Sequence, residues 1–173
     1  MAIEVLLTED ELMDSLRFVH RVREKKRQHD VVDKKFDRNN SSYSVNLMGR
    51  LGEVVVAKTL RIKTDDSVTA GGDVGFDLVS HLGNTIAVKT STLDSLIFNK
   101  IEDFSASIAL LVKFVGDKQI PQDGGKFFII GWISRQEFID KHYLRDYGYG
   151  MRLVIDGDKL NPIEEYRYEV PAF

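Results

Sequence analysis

The sequence predicts an α/β (α+β) fold, a mixed β-sheet flanked by helices, on three observations. Two stretches with helical apolar spacing come first, runs of strand-forming residues follow, and a capping box separates those runs from further strand-like segments. The expected order is α, α, β, β, β, β, α, β, β. At 173 residues, 43% of them hydrophobic and with ten Phe, six Tyr and one Trp, the chain can fill one core and has little room for a second domain.

Thr8-Glu9-Asp10-Glu11 has the form of a capping box, and Leu12, Leu16 and Val19 recur at helical intervals, which predicts a first helix from about Thr8 to His29. Residues 30–42 have loop composition, ending in Asn39-Asn40-Ser41-Ser42. Residues 1–42 therefore read as an N-terminal basic helix and loop extension, and 43–173 as the core. A second helix is predicted from about Ser44 to Leu60 on the spacing of Leu47, Met48, Leu51, Val54 and Val55. Gly49 and Gly52 leave part of its surface bare, so another backbone could approach. Phe76–Val79 and Thr85–Lys89 read as a hairpin around His81-Leu82-Gly83-Asn84. Ile108–Val115 and Phe127–Ile133 read as strands too apolar to have a wet face, which predicts a sheet covered by helices on both sides. Ser134-Arg135-Gln136-Glu137 is a second capping box, opening a helix to about Tyr143, and Arg152–Ile155 and Tyr166–Val170 read as terminal strands.

The composition excludes several function classes. Without Cys there is no disulfide framework, thiolate nucleophile or Cys-based zinc site. The four His residues show no metal-ligand spacing, and no phosphate-cradling GxxxxGK or GxSxG motif is present. No apolar run nears the roughly 18 residues of a membrane span, and no basic-then-apolar leader opens the chain, so a soluble, cytoplasmic (intracellular) protein without a membrane partner is expected. The net charge of -3 argues against wholesale coating of a polyanion, yet charge is unevenly placed. Residues 1–16 hold five acids and no base, whereas residues 17–38 hold nine Lys or Arg against four acids. That basic stripe offers Arg21, Lys25, Lys26, Lys34, Lys35 and Arg38 to DNA phosphates; its other reading is the solvated end of a helix.

The informative stretch is Gly49-Arg50-Leu51-Gly52-Glu53, then Gly72-Asp73-Val74-Gly75-Phe76-Asp77-Leu78, then Ile86-Ala87-Val88-Lys89-Thr90-Ser91-Thr92. Strand alternation puts Ala87 and Lys89 on one face and Ile86 and Val88 on the other, so Lys89 is expected to point away from the apolar side. Asp77 lies in the facing strand and Glu53 in a helix that could pack at that end, so the three groups are expected to converge.

This pattern resembles the PD-(D/E)XK, or restriction-endonuclease-like, nuclease superfamily over roughly Gly49–Thr92, and Gly131-Trp132-Ile133-Ser134 is similar to a strand end and helix start in phage and bacterial relatives. The resemblance implies a restriction-endonuclease-like core and a metal-dependent endodeoxyribonuclease. Glu53 matches the helix acid, Asp77 the strand aspartate and Lys89 the motif lysine. Thr90 and Ser91 match hydroxyls that follow it and would face DNA. Ala87 stands where the family has Glu or Asp. Mg2+ (or Mn2+) would be held by Asp77 and Glu53, with Asp73 a secondary ligand, because a hard cation prefers carboxylate oxygens.

Three explanations of Ala87 stay open: a replacement that disables cutting, migration of the acid to Asp73 or Glu53, or a non-cutting relative. The first is favoured, because the flanking residues keep the pattern and a decayed site would also lose Lys89. The implied partner is DNA, and a homodimer is compatible with the pattern. The rival classes are a non-cleaving DNA-binding protein on the same scaffold and a protein-interaction module docking through the first helix. Tyr143, Tyr147 and Tyr149 with Arg145 and Arg152 read either as an aromatic, basic nucleic-acid loop or as a tyrosine-rich surface turn, and the latter is favoured.

Overall fold

A short strand, β1 (Ile3–Val5), precedes helix α1 (Glu9–Gln28), whose start is the predicted capping box: Thr8 Oγ1 accepts from the Glu11 amide at 3.2 Å and Glu11 Oε2 accepts from the Thr8 amide at 2.7 Å. The computed structural model describes residues 2–29, 42–67 and 75–167. The expected loop therefore lies outside the described residues except for Ser42, the first residue of helix α2 (Ser42–Leu60). After α2 come β2 (Leu78–Val79), β3 (Thr85–Ser91), β4 (Ser95–Phe98), β5 (Ile108–Val115) and β6 (Lys126–Ser134). Helix α3 (Arg135–Lys141), strands β7 (Tyr143–Asp146) and β8 (Met151–Asp156) and helix α4 (Ile163–Arg167) complete the order.

Two sheets result. The larger is ordered β1-β6-β5-β3-β2, antiparallel throughout except where β3 runs parallel to β5; the smaller is ordered β4-β8-β7 and is antiparallel. Alternation along the central strands separates two cores. Ile86, Val88, Leu110 and Val112 face α1 and α2, where Leu47, Leu51 and Val55 are fully buried. Ala87, Ala109 and Leu111 face the other way into a cluster holding Leu96, Phe98, Phe104, Phe138 and Ile155. In that cluster Phe98 and Phe104 stack at 4.7 Å, and Phe138 meets both rings edge-on at 5.1 and 5.4 Å.

This architecture is the predicted mixed α/β class, with four corrections. The second face of the sheet is covered by the small β4-β8-β7 sheet together with the single helix α3, where helices on both sides were expected. Helix α3 stops at Lys141 and Tyr143 already belongs to β7, because the chain turns extended at His142. Tyr166 lies in α4 and not in a strand: Pro162 precedes the first helical residue, where its missing amide costs nothing; residues 168–170 lie outside the described residues. Strands β1, β4 and β7 were not predicted, since three- and four-residue runs carry too little periodicity to read.

Helix α2 docks on β3 through a glycine. A Cβ on Gly52 would lie 1.8 Å from Thr90 Oγ1, so helix and strand approach with no side chain from Gly52 between them. Gly52→Ala is expected to cost about 1–3 kcal/mol of stability by overpacking. The cost should shrink in a Thr90→Ala background; a denaturant double-mutant cycle without coupling would refute the close approach.

The second capping box gives a pH prediction. Burial pushes the Glu137 carboxyl up, but hydrogen bonds from Lys141, Ser134 and Asn161 outweigh it and hold the group below its ordinary value. A lowered folded pKa contributes stability that is complete above the unfolded value and disappears as pH falls through the folded one. Glu137→Gln should therefore lower the unfolding midpoint at neutral pH and converge on the parent only in acid below the ordinary glutamate range, as thermal melts across pH would read.

Candidate functional site

Strand β2 pairs with β3 only at Leu78↔Ile86 and Val79↔Thr85, whereas β3 continues to Ser91. Past Ile86, β3 is hydrogen-bonded to β5 on one side and, among the described residues, opens on the other. Asp77 extends the hairpin by one rung without belonging to β2. Its amide donates to the Ile86 carbonyl at 2.8 Å, and its Oδ2 accepts from the Val88 amide at 2.6 Å. A charge-assisted bond of that length satisfies a strand amide that β2 is too short to reach.

Along the open edge runs a groove of about 390 Å³ between α2 and β4, with Val45, Met48 and Gly49 on one wall and Ile97, Phe98 and Asn99 on the other. Its floor includes Lys89, Thr90 and Ser91. A Cβ on Gly49 would meet nothing within 4 Å, so the predicted bare helix surface has two uses: Gly52 admits the strand and Gly49 widens the groove. The Lys89 ammonium lies 4.9 Å from the centre of the Phe98 ring, a cation–π contact that holds the charge at the groove wall. Ser91 Oγ accepts from the Leu93 amide, and Thr90 Oγ1 is buried against Gly52 with no hydrogen-bond partner. Thr90 thus turns its hydroxyl to the helix and not to the groove.

The face that Ala87 and Lys89 share is not a polar one, contrary to expectation. Ala87 is 5% exposed inside the second core, and half-buried Lys89 sets its ammonium over the ring of Phe98, a member of that core. The reason is that both faces of β3 are covered, so alternation sorts side chains between two cores and not between core and solvent.

Glu53 is held by Arg50, a residue to which the sequence analysis gave no role. Arg50 is 6% exposed; Nη1 donates to Glu53 Oε2 at 3.1 Å and to the Asp65 carbonyl at 2.9 Å, and Nη2 pairs with Asp66. Its guanidinium lies 3.9 Å from the centre of the Phe18 ring. One buried cation therefore ties α1, α2 and the segment after α2 together. An Arg three residues before a Glu in an otherwise apolar helix was the available signal. Asp65 itself is held below its ordinary value by hydrogen bonds from Ser67, with Arg50 adding to the effect.

Of the other expected site residues, Arg21 is exposed on α1 with its guanidinium 6.0 Å from the Phe18 ring, and Lys25 and Lys26 are half-buried one turn on. Asp73, Lys34, Lys35 and Arg38 lie outside the described residues. Among the described residues no group of three or more His, Asp or Glu side chains could hold a metal ion. Asp77 Oδ2 accepts from a strand amide, Glu53 Oε2 pairs with Arg50, and Ala87 offers a methyl group where a hard cation would want an oxygen. No helix among the described residues is long and apolar enough to cross a membrane. No protein-family model and no curated protein matches the chain.

The bond from the Val88 amide assigns Asp77 a structural cost. Asp77→Ala should lose about 1–3 kcal/mol because that amide is left without its acceptor, whereas Asp77→Asn keeps an acceptor and should lose less. Equal urea midpoints for the two variants would refute this role.

Proposed function

We propose that the chain is a DNA-binding protein on an endonuclease-like scaffold, in a form whose metal-dependent phosphodiester cleavage is disabled at position 87. The observation that carries this reading is the pairing of Ala87 with Lys89 on one face of β3, beside the groove at its open edge, with Asp77 bonded to the residue between them. A lysine held at a strand edge by an aromatic ring is poised to meet a phosphate, and Arg21, Lys25 and Lys26 add charge on α1. A carboxylate at position 87 would add an oxygen ligand two residues from the lysine on the same face.

Two measurements test this. Affinity for a labelled duplex should fall linearly in log–log form as salt rises, with Lys89→Gln reducing the slope by about one unit. Ala87→Glu should create Mg2+- or Mn2+-dependent nicking of plasmid DNA that Lys89→Ala removes. The added carboxylate enters a buried position, so Ala87→Gln serves as the size control and folding is checked for each variant. A folded Ala87→Glu protein that binds duplex but never cuts would leave a DNA-binding protein and discard the nuclease ancestry. The absence of any salt-dependent binding would discard the whole reading.

A further inference from the structure

The β7–β8 hairpin carries a conflict that folding does not explain. Its register places Arg145 directly opposite Arg152, and like charges at facing positions of an antiparallel pair repel. All four residues of β7 are exposed, and among the described residues Arg145 forms no ion pair with a carboxylate. Instead its guanidinium lies 5.0 Å from the centre of the Tyr147 ring, within reach of the Tyr143 hydroxyl. The nearest acid in sequence, Asp146, is engaged elsewhere, its Oδ1 accepting from the amides of Gly148 at 2.7 Å and Gly150 at 3.2 Å. Arg152 is braced as well, donating to the carbonyls of Tyr149 and Met151 at 2.9 and 3.0 Å. Two cations are thus held side by side on a stiffened ribbon, flanked on their face by Tyr143 and by the Tyr147 ring.

The ribbon also sits beside the groove. Phe98, the last residue of β4 and part of the groove wall, is opposite Leu153, which is opposite Leu144. The arginine pair is one residue further along, past the end of β4, with Arg152 one strand spacing (about 4.8 Å) and Arg145 two from the line of β4. Strand alternation turns the pair to the opposite face from Phe98, so it would meet a backbone running beside the groove and not a group inside it.

We propose that the exposed end of the β7–β8 hairpin is a phosphate-gripping ribbon for duplex DNA, with Arg145 and Arg152 as its contacts. This rests on the DNA-binding reading above. It assigns the hairpin the opposite role to the surface turn that its tyrosines and glycines suggest in sequence. The anion resolves the repulsion that the register creates, and Tyr147 restricts the Arg145 side chain before contact, so less conformational freedom is lost on binding.

Arg145→Glu separates binding from folding. Opposite Arg152 it exchanges a repulsive pair for an attractive one, so the melting temperature should hold or rise while duplex affinity falls. Arg145→Gln should reduce the salt slope by about 0.9, equivalent to about eightfold weaker binding at about 0.1 M salt, and equally for unrelated sequences. Fluorescence anisotropy with a labelled duplex at several salt concentrations, with melting curves and sedimentation for each variant, provides the readouts. A parent protein that binds with the same affinity and slope as Arg145→Gln overturns the ribbon while leaving the DNA-binding reading in place. A parent that binds no duplex overturns both. Self-association abolished by Arg145→Glu with DNA affinity untouched overturns the ribbon and makes this edge an interface between copies of the chain.

Discussion

The close approach of Gly52 to Thr90 is the constraint from which the rest of the site follows. A helix normally stands off a sheet by the length of its side chains, but here Thr90 Oγ1 occupies the space a Cβ on Gly52 would need. The approach sets α2 against the open edge of β3. Gly49 then faces the groove, Glu53 falls beside Arg50, and Leu47, Leu51 and Val55 fill the space between α2 and the sheet. Arg50 completes the junction by carrying charge into a place that is 6% exposed, where Glu53, Asp66, the Asp65 carbonyl and the Phe18 ring surround it. A buried guanidinium needs such a shell, because each unanswered donor there would cost desolvation energy. Its Nε alone lacks a partner.

The two-sided sheet decides what the residues of β3 can do. Because α1 and α2 cover one face and the small sheet with α3 the other, each side chain of β3 enters a core or must leave by the edge. Ala87 enters, Lys89 leaves along Phe98, and Thr90 is trapped against the helix. Glu53 pairs with Arg50, and the Lys89 ammonium lies over the Phe98 ring. Asp77 lies at the edge, its Oδ2 engaged in finishing the hairpin. Asp77 and Glu53 thus each have one carboxylate oxygen in a structural contact.

Charge is organised locally on an acidic protein. The acids of α1 cluster in its first turn and its bases in its last, which suits the helix dipole, and Glu11 reaches Lys58 of α2 at 2.9 Å. Burial pushes the Glu11 carboxyl up, but the bonds from Lys58 and Thr8 prevail and keep it below its ordinary value. These charges have internal partners and explain themselves. Arg145 and Arg152 instead face one another across β7 and β8, Arg145 against the Tyr147 ring and Arg152 bonded to the Tyr149 and Met151 carbonyls.

Much of the fold was legible in the sequence, because local signals and burial agree. The capping boxes at Thr8 and Ser134 form as read, the hairpin turns at Ser80–Asn84, and Ile108–Val115 is the strand β5 residue for residue. The chemically distinctive residues Asp77 and Lys89 were legible too, since polar groups interrupting apolar runs stand out whatever their neighbours. Their surroundings were not. That Lys89 meets Phe98, that Arg50 claims Glu53, and that two arginines face each other across β7 and β8 depend on which strands pair and in what register. Strands as short as β4 and β7 take their place from the core they complete and not from their own periodicity. The sequence by itself determined the helices, the central strands and the identity of the polar residues, whose causes are contained within a few neighbouring positions. Only the tertiary structure decided which face each polar residue reached and what it met there, because sheet pairing joins residues that lie far apart along the chain and a shift of one position exchanges the faces.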